Sequence, residues 1–364
     1  LYICPLFYTI CAHGVTFSLS LLTLNGQIVP TAGTPRLNNS GEVTTTTTDT
    51  STGYSYATVW RNGQDGQLIA GTGGDTTVTG INDNGEVVGY GTLNVNTPQG
   101  MFQGFHVDPA GAVTYYPSNP DVNPFVQPGA INNAGVVAAE DNGLHVFGNG
   151  IDRHYDFGNN VVPSAINSSA QVTGFYGIGS GEQQTIGMFY DDGVIVHKYD
   201  AVLGRQDVRG LGINDAGVIV GRAGYSVLQN AALGYPAQFQ WAFTFSNGNF
   251  TWLPAVDDYF INPWAEAINN NGWVVGWCQS AGVDFDATLW VDGASLDLNA
   301  LTTNLPDDMY LVYATGVNDS GQIVALAHAA DGNLYPVLLT PTSPIPEPTI
   351  WVLLPSLAAL RRRR

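Results

Sequence analysis

The feature that most constrains this chain is a hairpin that it repeats seven times. Its clearest copy is Ile81-Asn82-Asp83-Asn84-Gly85-Glu86-Val87-Val88-Gly89. An apolar β-former leads into an Asn that can hydrogen-bond its own backbone. Gly85 supplies the left-handed residue that closes the turn, and two valines restart a strand. The other copies centre on Asn38, Asn132, Asn167, Asn214, Asn269 and Asn318, at successive intervals of 44, 50, 35, 47, 55 and 49 residues. A repeat of this size cannot bury a sheet face by itself, so its copies must pack against one another.

A second marker follows each of the first six hairpins: an aromatic strand closed by a Gly turn. Tyr56-Ala57-Thr58-Val59-Trp60 precedes Gly63, and Ala287-Thr288-Leu289-Trp290 precedes Gly293. A further strand comes after the turn, as in Ala294-Ser295-Leu296-Asp297-Leu298. Four short strands per repeat is the unit of a propeller blade. The seventh copy stops after its third strand, Tyr335 to Leu339, while the alternating stretch Val15 to Leu24 is a strand without a repeat. The expected fold is therefore all-β: a seven-bladed β-propeller of four-stranded blades closed by an N-terminal strand, with a short C-terminal helix. Closure of this kind leaves no open edge to template aggregation. A β-solenoid is the alternative, but its rungs would be shorter and more uniform.

The chain carries 30 acidic against 11 basic residues, and four of the basic ones are Arg361, Arg362, Arg363 and Arg364. A body with so few cations is unsuited to nucleic acid or anionic lipid, whose binding depends on neutralising phosphates. Cys4, Cys11 and Cys278 form no disulfide framework, and the scattered histidines have no zinc spacing, so no cofactor or metal is expected. Residues 1–14 read as a signal-peptide-like leader, 15–341 as the repeat body, 342–348 as a Pro-rich linker, and 349–364 as an apolar segment with an Arg cluster. Twelve apolar residues cover about 18 Å as a helix against about 30 Å of hydrocarbon, which suits transient rather than permanent membrane association.

The hairpin, the Trp290-Val291-Asp292-Gly293 turn and the Asp297-Leu298-Asn299-Ala300-Leu301 ending together resemble the HAF repeats of bacterial extracellular proteins. The order Pro346-Glu347-Pro348, apolar segment and Arg361 to Arg364 resembles a PEP-CTERM sorting signal. These resemblances imply an exported protein of a Gram-negative bacterium that makes exopolysaccharide. They also imply an inner-membrane stage and processing by an exosortase-type protease, and they assign no activity.

No nucleophile elbow or phosphate loop is present. The acid pairs Asp191-Asp192, Asp257-Asp258, Asp284 with Asp286, and Asp307-Asp308 read as turn residues in solvent. The Asn hairpins and the Gly turns must share one face of the molecule, and the longer connections must share the other. On that loop face the sequence places Tyr225 and Tyr235, in a connection from Arg222 to Gln240, beside Asp257, Asp258, Tyr259 and Trp264. Aromatic rings next to carboxylates suit a sugar. The expectation is a surface-associated, non-enzymatic binding or structural module, with exopolysaccharide as a ligand. A secreted carbohydrate-active enzyme using the same face is the competing class.

Overall fold

In the computed structural model, the described residues are 15–342 apart from 49–52, 62, 71–74, 94–100, 117–125, 158–160, 179–184, 194–195, 200–206, 228–236, 257–259 and 281–284. They form antiparallel sheets, with one four-residue helix, Leu298–Leu301. Each of the first six repeats supplies four strands in sequence order. The second repeat, for example, runs Thr76–Ile81, Val87–Leu93, Met101–Val107 and Val113–Tyr115. The fourth and fifth repeats are joined into one larger sheet by a single parallel bridge, Ile186 with Asp207. The seventh repeat has three strands of its own, Met309–Val317, Ile323–Ala329 and Leu334–Pro341. Its fourth is Phe17–Leu21, paired antiparallel to Leu334–Pro341 from Phe17 opposite Pro341 to Leu21 opposite Val337.

That N-terminal strand is shorter than the alternating stretch suggests. Thr23–Leu24 leaves it to pair with Gln27–Ile28 across Asn25-Gly26, both of which have positive φ. Asn-Gly is the favoured two-residue hairpin loop, and here local turn chemistry overrides the alternation. Leu22, at the break, packs instead with Val43, Trp60 and Val324. The leader, the linker beyond Thr342 and the tail with its expected helix lie outside the described residues.

The motif asparagine does more than open its own turn. Asn82 Oδ1 accepts the backbone N–H groups of Asn84 (3.1 Å) and Glu86 (2.9 Å), as the sequence predicts. Its Nδ2 donates to the carbonyl of Asn132, the motif asparagine of the next repeat, at 3.0 Å. The same bond runs from Asn38 to Asn82, Asn132 to Asn167, Asn167 to Asn214, Asn214 to Asn269, and Asn269 to Asn318, at 2.9 to 3.2 Å. Asn318 Nδ2 then donates to the Asn38 carbonyl at 3.1 Å, across 280 residues of chain, so the cycle returns to its start. All seven asparagines are buried. A second tier lies outside it, where the N–H of Asp83, Asp215, Asn270 and Asp319 each donate to the next repeat's side chain or, for Asp319, to Asn39.

The last glycine of the motif has a packing reason. A Cβ on Gly89, Gly174, Gly221 or Gly276 would stand 1.8 to 2.2 Å from a carbonyl oxygen of the neighbouring first strand. That close approach accompanies a β-bulge, which occurs at one position in the first strand of six repeats. The extra residues are Thr79, Gly129, Ser164, Leu211, Glu266 and Thr315. A bulge redirects a side chain away from the pleat, and five of the six residues, all but Gly129, line one central cavity.

Replacing Asn132 with Ala removes the donor to Asn167 O and strands the N–H groups of Ala134 and Val136. With each buried group left unpaired costing about 1–3 kcal/mol, the variant should lose ~2 kcal/mol or more in urea unfolding. Asn133→Ala, one residue along on the exposed tier, should lose less than about 1 kcal/mol. Equal losses would show that the cycle adds nothing to the turn.

Candidate functional site

Three positions of the repeat, counted from the motif asparagine, vary where the rest is held constant, and they converge in space. One is the bulge, three residues before. Another lies two residues earlier still, and includes Gln127, Val162, Arg209, Trp264 and Tyr313. The last is eight residues after the asparagine, beyond the Val-Val-Gly stretch, and reads Thr46, Tyr90, Glu140, Phe175, Arg222, Trp277 and Leu326. The second-strand residue of one repeat reaches the first-strand residue of the next. Arg209 lies over the Phe175 ring at 4.6 Å, Arg222 over Trp264 at 3.6 Å, and Trp277 meets Tyr313 edge-on at 5.5 Å.

These contacts surround the loop-face end of the molecule. A cavity of about 250 Å³ there is lined by Arg36, Tyr90, Gln127, Glu140, Phe175 and Glu266, among others. It continues inward to a narrower space of about 190 Å³ walled by five of the bulge residues and by the apolar residue before each asparagine. Leu37, Ile81, Ile131, Ile166, Ile213, Ile268 and Val317 form that apolar collar, and the asparagine cycle lies beyond it.

Charge is concentrated at this end. Arg36, Arg209 and Arg222 all act on the Glu266 carboxylate, three of the seven basic side chains the body possesses. Burial nevertheless pushes Glu266 above the ordinary carboxylate range, against the pull of these arginines and a hydrogen bond from Trp277. Asp207 bridges two of the cations, meeting Arg209 Nε and Arg222 Nη2 at 2.8 Å each. Arg222 is buried, its pKa is drawn down by burial to about 10, and its Nε and Nη1 have no hydrogen-bond partner among the described residues. Across the cavity, burial and the neighbouring Asp141 raise Glu140.

Among the residues predicted from sequence, Trp264 is at this end, but its ring is already stacked. Trp277 lies nearly parallel at 4.5 Å while the Arg222 guanidinium sits at 3.6 Å, and two groups that close require opposite faces. Trp264 therefore positions Arg222 rather than offering a free face. Arg222 and Gln240 are not in a loop: the strands Ile219–Val227 and Ala237–Ser246 extend through both, because their ladder continues from Arg222 opposite Ala242 to Val227 opposite Ala237. Tyr225 belongs to the first of these strands. Tyr235, Asp257, Asp258 and Tyr259 lie outside the described residues, as do Pro346, Glu347, Pro348 and Arg361 to Arg364. Tyr90, Glu140, Phe175 and Glu266 escaped the sequence reading, which looked to long loops. Their signal was the fixed offset from the asparagine.

Asp191 also departs from expectation. It is fully buried, accepting from Tyr155 Oη (3.1 Å) and Gly193 N–H (2.8 Å) and facing Arg153 at 3.2 Å. The strand Thr185–Asp191 carries it into the interface between two repeats. Among the described residues, no three His, Cys, Asp or Glu side chains stand as a metal site, and no helix is long and apolar enough to cross a membrane.

Burial, first among several influences, raises the Asp191 pKa from its ordinary 3.8. The folded protein thus holds this proton more tightly than the unfolded chain. The associated stability is present at low pH and is lost as pH rises through the raised value. Asp191→Asn lacks this titration. Its stability relative to the parent should improve as pH rises from 3.8 through the raised value and level off above it, as read by thermal unfolding. A pH-independent difference would contradict the assignment.

No protein-family model matches the chain, and no curated protein matches it in sequence. Solved structures do. The β-propeller domain of the Trilobed protease from Pyrococcus furiosus, described as having an open velcro topology, superposes with a TM-score of 0.54 at 8% identity, covering 88% of this chain and all of that one. An ancestral GH74 enzyme gives 0.48 at 12% identity over 92% of this chain, which spans 52% of that enzyme. A lectin from Aleuria aurantia, in complex with Fucα1-6GlcNAc, gives 0.40 at 11% identity over 92% of this chain and 98% of the lectin. With all-β sheets of this order and a propeller superposing over the length of the body, the fold is a β-propeller.

Proposed function

We propose that this chain is an exported, surface-associated, non-enzymatic propeller that binds a saccharide at the loop-face mouth of its central cavity. The observation that carries this reading is the cavity itself, where the rings of Tyr90 and Phe175 stand with the carboxylates of Glu140 and Glu266 and the guanidinium of Arg36. Aromatic walls with a few converging polar groups suit sugar rings and hydroxyls. In this reading the body is a ring of seven four-stranded blades closed by the N-terminal strand. The pairing of Phe17–Leu21 with Leu334–Pro341 and the return of the asparagine cycle from Asn318 to Asn38 support closure.

The ends of the body bear on the address. Thr342 N–H donates to Thr16 O at 2.8 Å, beside the Phe17–Pro341 pair. In the other repeats the end of the third strand leads into the Gly turn, on the face of the asparagine hairpins. Both ends of the body thus leave on the face opposite the cavity. A tail held at the inner membrane through Pro346-Glu347-Pro348 and its arginines, before an exosortase-type protease acts, turns the cavity mouth away from that membrane. This geometry suits a protein that meets exopolysaccharide.

A carbohydrate-active enzyme is the second reading, and one observation favours it: burial raises both Glu140 and Glu266, and both line the same cavity. General acid–base catalysis uses carboxylates tuned in this way. The distinguishing experiment passes the producer's exopolysaccharide over the immobilised body and follows chain length in the eluate. Retention without shortening is expected, with Tyr90→Ala and Phe175→Ala each weakening it by about 1 kcal/mol or more. Steady depolymerisation that Glu266→Gln abolishes would establish the enzyme instead.

A further inference from the structure

The charges around the cavity do not cancel evenly, and the imbalance specifies the ligand further. On one side, Arg36 faces Glu266, and its Nε donates to Thr79 O at 3.1 Å. Arg209 and Arg222 share Asp207 and also act on Glu266. The unpaired Nε and Nη1 of Arg222 are buried under Trp264 rather than open to solvent, so this side offers little to an incoming anion. On the other side, the Glu140 side chain makes no ion pair and no hydrogen bond among the described residues. Its nearest charged neighbour is Asp141, which is engaged with His145 Nδ1 at 3.2 Å. Tyr90, Phe175 and Gln127 complete the wall around Glu140.

Resting on the saccharide reading of this cavity, we infer that it takes a cationic sugar, an amino sugar with a free ammonium group, held by the Glu140 carboxylate against Tyr90 and Phe175. An ammonium would supply the counter-charge that Glu140 lacks, and a charge-assisted hydrogen bond to a carboxylate is about twice as strong as a neutral one. Aromatic walls add attraction for a cation near a ring face. The formal charge of −19 acts in the same direction at long range, drawing polycations in and holding polyuronates off. A neutral sugar would leave Glu140 desolvated and unpaired, and an acidic one would meet it as a like charge.

The test measures binding of three oligosaccharides of equal length to the body by isothermal calorimetry at pH 6: a glucosamine oligomer, its N-acetylated counterpart and an oligogalacturonate. The glucosamine oligomer should bind about tenfold more tightly than the N-acetylated one, consistent with one charge-assisted contact, and the oligogalacturonate most weakly. Glu140→Gln, a near-isosteric change checked by its melting temperature, should erase that tenfold preference. Asp292→Asn, an exposed acid in the turn Val291-Asp292-Gly293 on the face opposite the cavity, controls for bulk charge and should preserve the preference. Equal affinities for the amino and N-acetylated oligomers, or a preference that survives Glu140→Gln, would overturn the inference while leaving saccharide binding intact. A preference that Asp292→Asn erases equally would assign it to net charge and overturn the inference too. If none of the three binds, the saccharide reading falls with it.

Discussion

The asparagine cycle is the interaction on which the rest of this molecule depends. Each motif asparagine uses its oxygen to hold its own hairpin and its nitrogen to hold the next, so a local turn and an inter-repeat contact are one group of atoms. The arrangement is buried and fully paired, and a buried amide left half-paired is costly. Neither function can be lost without disturbing the other. With the hairpins fixed around the axis at this spacing, the inner strands approach closely. Gly129 shows how closely: a Cβ there would stand 2.0 Å from the carbonyl of Pro163 in the next repeat. The bulges and the small residues of the inner strands follow from that crowding.

Much of this was legible in the sequence because turn chemistry is local. The Asn-x-x-Gly pattern specifies a hairpin from four residues, and even Ala170, where glycine is missing, takes the left-handed conformation with φ 57°. Strand counting likewise pointed to the exchange between the two ends of the body. The destination of Asn Nδ2 was not legible, because its partner is 35 to 55 residues away in the chain and nothing local marks it. The bulge was hidden for the same reason: an extra residue in a first strand is visible only against its partner's register. Trp264 illustrates the limit. Its aromatic character was plain, but a neighbour eight residues past another asparagine covers one face, and only the fold brings Arg222 there.

The candidate site sits where the repeat stops constraining itself. Positions that make the turn, the collar and the close strand approach are nearly uniform across the copies. The bulge, the residue two before it and the residue after Val-Val-Gly carry arginine, glutamate, tryptophan, tyrosine and phenylalanine in different repeats. A pseudo-symmetric scaffold thus presents an asymmetric mouth, cationic toward the first and fifth repeats and anionic toward the third. Such a division lets the scaffold keep its stability while the mouth varies, since the variable side chains contact one another and the cavity rather than the asparagine tier.

Whether the body is a closed ring is the point from which the cavity, its two ends and its outward presentation all follow. Native-state hydrogen exchange of residues 15–342 reads it directly at the amides of Phe17–Leu21. In a closed ring these amides are protected as long as the interior strands are, and exchange only when the whole sheet system opens. Exchange of Phe17–Leu21 orders of magnitude faster than that of Ile323–Ala329, as for a frayed terminus, would show that the strand does not close the ring and would contradict the architecture proposed above.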